Sequence, residues 1–429
     1  MNRILLVVIF SVIIPVVAFA QEASAQEDNR KKRDLDWLQS YIADSLDNRE
    51  ELLTHLENLP NIEVGKGITF RPKNNMYEMT LRFRMQNMVG LSFGKDFSLT
   101  RTEAQVKRLR LRFDGYIFSP KVIYSIQLGF SGYDAAKLPN GNMNIVRDAI
   151  VYYRHSAAWN IGFGQTKIKA NRARVNSSSA LQFVDRSIVN SEFNVDRDFG
   201  FFGEYNYGSL EGFALSAKAS VTLGDGRNWN SSSIAGFAYT GRLELYPFGR
   251  FHGNGELMEG DVSYEQEVKM MIAGAYQFND NAQRLQGTKG GLMPDGQHRD
   301  INSYFVDFII KYRGFAACID YMGRYVADPF FEGSPEEYVF TGSGLNVQAS
   351  YLFDGKWEVA ARNSTIFADK RLAGHAGYDR WNQTTLGVTR YLIGHSLKVQ
   401  FDISYNHYLN PLDPGYDRWM MRFQVELGL

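Results

Sequence analysis

The sequence predicts an all-β fold, a 16-stranded antiparallel transmembrane β-barrel preceded by a short N-terminal periplasmic helix. Three observations predict it. Apolar and polar residues alternate with a period of two through many segments of about ten residues. The connections between those segments are alternately long and short. Aromatic residues make up 14% of the chain, with 30 Phe and 24 Tyr against 11 Pro, a mixture that favours β-structure.

Residues 1–20 read as a signal peptide. Arg3 is followed by the apolar run Ile4–Phe10, further apolar residues to Val17, and the small-residue cleavage pattern Ala18-Phe19-Ala20. A membrane anchor is the alternative, but the run is short for a bilayer span. After it, no stretch approaches eighteen consecutive apolar residues, which excludes helical membrane proteins. The single Cys318 excludes an internal disulfide. Lys and Arg together number 47, as do Asp and Glu, so overall charge says nothing about partners and only the placement of charges can.

Residues 21–66 form a periplasmic N-terminal segment. Leu35, Leu38, Ile42, Leu46, Leu53, Leu56 and Leu59 recur at helical intervals within a charged stretch and predict an amphipathic helix. A heptad register would also place Ser45 and Arg49 in its core, so a coiled coil is imperfect, and a solvated helix or arm is the equal alternative.

The barrel occupies residues 67–429. In YEMTLRFRMQNMV, Tyr77, Met79, Leu81, Phe83 and Met85 alternate with Glu78, Thr80, Arg82, Arg84 and Gln86, over a length unusual for a soluble sandwich. The same period places strands at 77–89, 104–116, 121–130, 145–154, 159–165, 199–207, 212–222, 235–247, 267–279, 302–313, 315–324, 344–353, 356–364, 382–391, 396–405 and 418–429. The odd connections are long, among them 90–103, 166–198 and 280–301. The even ones are tight (FSP, HSAA, GSLE, RG, DG, LIGH), with one longer exception near 248–266. Long loops on one rim and short turns on the other describe an outer-membrane barrel of a Gram-negative bacterium, both its ends lying on the periplasmic side. GYDRW occurs at Gly377–Trp381 and again at Gly415–Trp419, where the tryptophans suit the outer aromatic girdle.

No spacing of the seven His and one Cys suggests a metal site, and no nucleophile constellation, cofactor motif or nucleic-acid signature is present in the sequence. The informative residues are basic. With the apolar face turned to lipid, Arg82, Arg84, Arg108, Arg110 and Arg112 face the lumen on adjacent strands, and Lys167, Lys169, Arg172 and Arg174 follow without an intervening acid. A sixteen-stranded barrel leaves a water-filled channel, and a stack of guanidinium groups there attracts anions and suits phosphate. Inward acids such as Glu78, Asp114, Glu244, Asp307, Asp320 and Asp402 give the alternative, in which the arginines are salt-bridged scaffold.

Phe163-Gly164-Gln165-x-Lys167, Leu181-Gln182-x-Val184-Asp185-Arg186-Ser187 and Phe193-Asn194-x-Asp196-Arg197-Asp198, with Arg242, Pro247 and Gly249 further on, resemble the phosphate-selective porin O and P family. The resemblance spans roughly Gly67 to Leu429 and implies a homotrimer in outer-membrane lipid, with a third outer loop folded into the pore and basic residues guiding phosphate-like anions. It makes 166–198 a constriction loop. Ser179 and Gln182 have capping-box spacing, and Leu181, Val184 and Ile188 follow at helical intervals, so a short helix is expected with Gln182, Asp185 and Arg186 turned toward the channel. A general or sugar-selective porin and a β-rich surface adhesin are the competing readings. A sugar porin calls for inward aromatics, whereas the Tyr and Phe fall mostly on the apolar parity.

Overall fold

Alternation of side chains along the sequence becomes alternation between outside and inside in three dimensions. A computed structural model describes residues 60–134, 136–137, 143–228, 235–334, 336–375, 381–408 and 418–429. The chain divides into two units, Met1–Asn61 with Phe70–Asn75, and Ile62–Thr69 with Met76–Leu429. Of the first unit, 60–61 and 70–75 are described and include a turn at Lys73 and Asn74. The expected signal peptide and helix lie outside the described residues.

The second unit is the barrel. Its strands are β1 Tyr77–Phe93, β2 Leu99–Ile117, β3 Ser119–Gly129, β4 Val146–Arg154, β5 Trp159–Lys167, β6 Arg197–Tyr207, β7 Ala214–Thr222 and β8 Ala238–Tyr246. They continue with β9 Lys269–Ala282, β10 Arg299–Tyr312, β11 Phe315–Tyr325, β12 Gly342–Phe353, β13 Trp357–Ala368, β14 Trp381–Ile393, β15 Leu397–Tyr408 and β16 Trp419–Gly428. Each pairs antiparallel with the next. β16 pairs back onto β1, with Gln424 opposite Met88, and closes the sheet. The fold is therefore the expected 16-stranded antiparallel barrel.

Its polarity is the reverse of a water-soluble protein's. In β12, Leu345, Val347, Tyr351 and Phe353 are exposed, whereas Asn346, Gln348 and Ser350 are buried. An outer surface of Val, Leu, Phe and Tyr meets hydrocarbon, and closure leaves no strand edge unpaired there. Short turns use backbone freedom where they need it: Arg313 and Gly314, at φ 45° and 85°, make the two-residue connection between β10 and β11.

The connection expected at 90–103 is not a long loop. β1 and β2 extend past it to a turn at 94–98, because Leu91, Phe93 and Leu99 keep the alternation going. Gly94 N donates to Ser98 O at 2.9 Å, Phe97 adopts φ 61°, and Asp96 accepts from the Ser98 hydroxyl at 2.6 Å.

Candidate functional site in the barrel lumen

Two segments run inside the barrel. The first, 168–196, contains helix α1 (Arg172–Val175), a 3-10 turn at Ser178–Ala180, an extended stretch, and helix α2 (Ile188–Phe193). The expected helix through Leu181, Val184 and Ile188 does not form. Wall side chains occupy the backbone groups that it would need: Lys398 donates to Leu181 O at 2.6 Å, Thr389 to Gln182 O at 2.9 Å, and Asp402 accepts from Val184 N at 2.9 Å. The helix starts instead after Ser187, whose hydroxyl accepts from Asn190 N at 3.1 Å. Gln182 and Asp185 also depart from expectation. Gln182 binds the wall, donating to Glu358 at 2.6 Å, and Asp185 pairs with Lys107 at 2.6 Å.

The apolar side of the insert packs on inward-facing wall residues. Ile168, Ala173, Ile188, Val189 and Phe193 join Phe305, Met322 and Ile366 in one buried cluster. Inward glycines make room for it. A Cβ on Gly344 would lie 2.9 Å from Val189, and one on Gly387 would lie 2.8 Å from Phe183.

The second segment is the long turn between β8 and β9, which folds into the lumen from the short-turn end. Lys311 donates to Gly255 O at 2.8 Å and Gly260 O at 2.6 Å, and Asp261 accepts from Gly314 N at 2.8 Å. Glu259 meets the insert, its backbone N donating to Ala180 O at 3.1 Å and its carboxylate accepting from Gln182 N at 3.0 Å.

The sequence-predicted basic residues separate into two groups. Arg82, Arg84, Arg110 and Arg112 converge on one pocket of about 150 Å³, lined also by Gln127, Ser177, Ser179, His395 and Ser396. Arg82 and Arg112 both pair with Asp114, at 2.5 and 2.9 Å, and Arg110 forks onto Asp134 with both contacts at 2.6 Å. Arg84 donates to the Ser177 hydroxyl at 2.8 Å and lies 3.4 Å from Glu426. Asp134 also holds Arg147, and Glu426 also holds Lys398, so six cations share three carboxylates around this pocket.

The other group is consumed by structure. Arg108 donates to Gln86 at 2.7 Å, lies over the Tyr133 ring, and is 3.8 Å from Asp185. Lys167 donates to Val175 O at 2.8 Å and Asn176 O at 3.1 Å, while Lys169 pairs with Glu204. Arg172 reaches Asp320 at 3.2 Å and Arg174 reaches Asp196 at 2.7 Å. Arg186 donates to Ala173 O at 2.7 Å and Asn176 O at 2.8 Å. It anchors the loop through carbonyls rather than an acid. Burial, then Arg174 and Arg108, pull its pKa down to about 9, the mark of a strongly positive surrounding.

Sequence reasoning missed Lys107, His395 and Glu259. A β-bulge lets Gln86 pair with Arg108 while Asn87 pairs with Val106, which turns Lys107 inward against its parity. His395 sits in the turn between β14 and β15, and both its ring nitrogens are buried. The exceptional length of the β8–β9 connection was the one signal that could have pointed to Glu259.

Residues 79–287, a little under half of the chain, match the family described as phosphate-selective porin O and P. The matched segment resembles that porin family. The porin's fold is shared with the anion-selective porin from Comamonas acidovorans at 10% identity and a TM-score of 0.54, over 82% of this chain and 100% of that one. OmpF of Salmonella typhi, in complex with daunomycin, aligns at 13% identity and 0.53, over 84% and 100%. The outer membrane channel DcaP of Acinetobacter baumannii aligns at 13% identity and 0.50, over 85% and 100%. No curated protein matches the chain. The matched family and the shared fold are those of outer-membrane channel proteins.

Proposed function

We propose that the porin passes small anions, phosphate-like solutes among them, by passive diffusion along the arginine wall formed by β1, β2 and the turn beside β16. In this reading it works as a homotrimer in outer-membrane lipid and performs no chemical step on its cargo. The observation that carries it is the uneven lumen. The insert 168–196 enters the bore and, with the β8–β9 segment, fills the side lined by β10–β13, which leaves a pocket whose lining, among the described residues, includes four arginines and no Asp or Glu side chain. Guanidinium groups there attract anions and repel cations at close range.

A general diffusion porin is the second reading, favoured by the carboxylate beside every pocket arginine. The six-to-three excess of cations weighs against it. Planar-bilayer reversal potentials across a potassium chloride gradient decide between the two: chloride preference is expected, and a neutral or cation-preferring channel sinks the anion reading.

A further inference from the structure

Apolar side chains that face a water-filled bore call for a cover or a ligand. Two groups on this wall have a cover. Phe305, Met322 and Ile366 pack beneath the insert, and Met271, Ala273 and Ile309 pack in one cluster with Phe251 of the β8–β9 segment. A third group, on the arginine side, belongs to neither cluster. Tyr116, Ile123 and Tyr152 stand opposite one another on β2, β3 and β4, and they share the inward parity of Arg112, Asp114 and Gln127. All three stay half-buried. The next position in the row is Gly162 on β5, where a Cβ would lie 2.6 Å from the Tyr152 ring. The ring therefore rests against bare backbone, and the row forms an apolar ledge about 10 Å wide, two strand spacings.

The guanidinium groups reach down toward this ledge. Arg82 and Arg112 both pair with Asp114, at 2.5 and 2.9 Å, and Asp114 is two residues, about 7 Å of strand, from Tyr116. The two arginines outnumber that carboxylate. Among the described residues no hydrogen bond occupies the terminal nitrogens of Arg112, whose side chain is 47% exposed. Lys169 adds a cation at the far end, its Nζ 5.7 Å from the Tyr152 ring centroid and paired with Glu204. Arginines alone take any small anion, and an apolar ledge alone takes any ring. Side by side they favour a solute that has both.

We propose that Tyr116, Ile123 and Tyr152, with the guanidinium groups of Arg82 and Arg112, form one amphipathic site for organic anions that carry a planar apolar ring, such as aromatic sulfonates and carboxylates; this rests on the anion reading above. The charged end accepts from the arginines while one ring face leaves water on the ledge. Inorganic anions engage only the arginines.

The test measures chloride current through the full-length porin in planar bilayers at pH 7, with benzenesulfonate, methanesulfonate or the neutral benzenesulfonamide as competitor. Benzenesulfonate is expected to inhibit at a concentration about tenfold below that of methanesulfonate, the effect of removing roughly 55 Å² of ring face from water. Benzenesulfonamide, which has the ring without the charge, should inhibit far less. Ile123→Ser and Tyr152→Ser should each bring the two sulfonates to within about threefold, while Ile123→Leu and Tyr152→Phe should keep them apart, so a folding failure in one serine variant leaves the other to decide. Arg112→Gln should weaken both sulfonates together. A tenfold gap that survives in the serine variants overturns the proposal, as do benzenesulfonamide inhibition equal to that by benzenesulfonate, benzenesulfonate inhibition untouched in Arg112→Gln, and a wild-type channel that prefers anions but treats the two sulfonates alike. A wild-type channel without anion preference overturns the anion reading first, and this one with it.

Discussion

The two sides of the lumen are both rich in charge and use it differently. On the β10–β16 side, Asp307 binds Arg242 and accepts from Arg172 N, Asp320 holds Arg172 and Asn346, Glu358 binds Gln182 and Tyr391, and Asp402 binds Arg422 and Val184 N. All four acids are almost completely buried. On the β1–β2 side, the Arg82, Arg84 and Arg112 side chains stay 37%, 27% and 47% exposed despite their acidic partners. Residue type does not separate these regions. Coverage by the insert does, converting one set of charges into framework and leaving the other in contact with whatever passes.

Removing the cover is the largest way to break this contrast. Replacing Asn171–Val195 by a short Gly/Ser linker should raise single-channel conductance severalfold and lower ionic preference, because both walls then face water. Conductance left near the wild-type value would show that the insert does not set the bore.

Paired substitutions sharpen the contrast. Asp307→Asn strips Arg242 of a buried partner, and breaking such a pair costs about 3–5 kcal/mol. Its barrel should lose heat resistance on semi-native gels while its reversal potential stays put. Arg112→Gln removes a half-exposed pair worth about 1 kcal/mol or less, so heat resistance should hold while chloride preference falls. If both variants change the same property, the two walls are not functionally distinct.

How much of this was legible follows from where each signal is carried. The strands were legible because each residue's side is set by parity, and β7 to β16 alternate almost without exception. Arg82, Arg84, Arg110 and Arg112 share one strand face by the same parity and line one pocket. Parity failed at Lys107, where one extra residue in the β-bulge reverses it. The helix expected through Leu181, Val184 and Ile188 failed because its competitors, Lys398, Thr389, Gln400 and Asp402, lie 207 to 219 residues away in sequence. His395 carried no local pattern. Only the closing of the barrel brings it beside Arg84.

The smallest expected effect concerns Asp185, which ties the insert to the arginine side through Lys107 and Arg108. Burial raises its carboxyl pKa, but Lys107, Arg108 and Arg422 outweigh burial and hold it well below the usual carboxylate range. A depressed value means that the folded barrel binds this proton less readily than the unfolded chain. The contribution is therefore complete above the ordinary carboxylate value of about 4 and is lost as pH falls toward the depressed one. Heat resistance on semi-native gels should drop between pH 6 and the acid range in the wild type, and the drop should be shallower in Asp185→Asn. The variant should also be weaker than the wild type at pH 6, since Lys107 is then buried without its carboxylate. An unchanged acid slope in Asp185→Asn would mean that the insert is held to this wall by Arg84, Gln86 and Arg110 through Ser177 and Ser178 alone, and the arginine side would then be fastened by neutral hydrogen-bond acceptors rather than by charge.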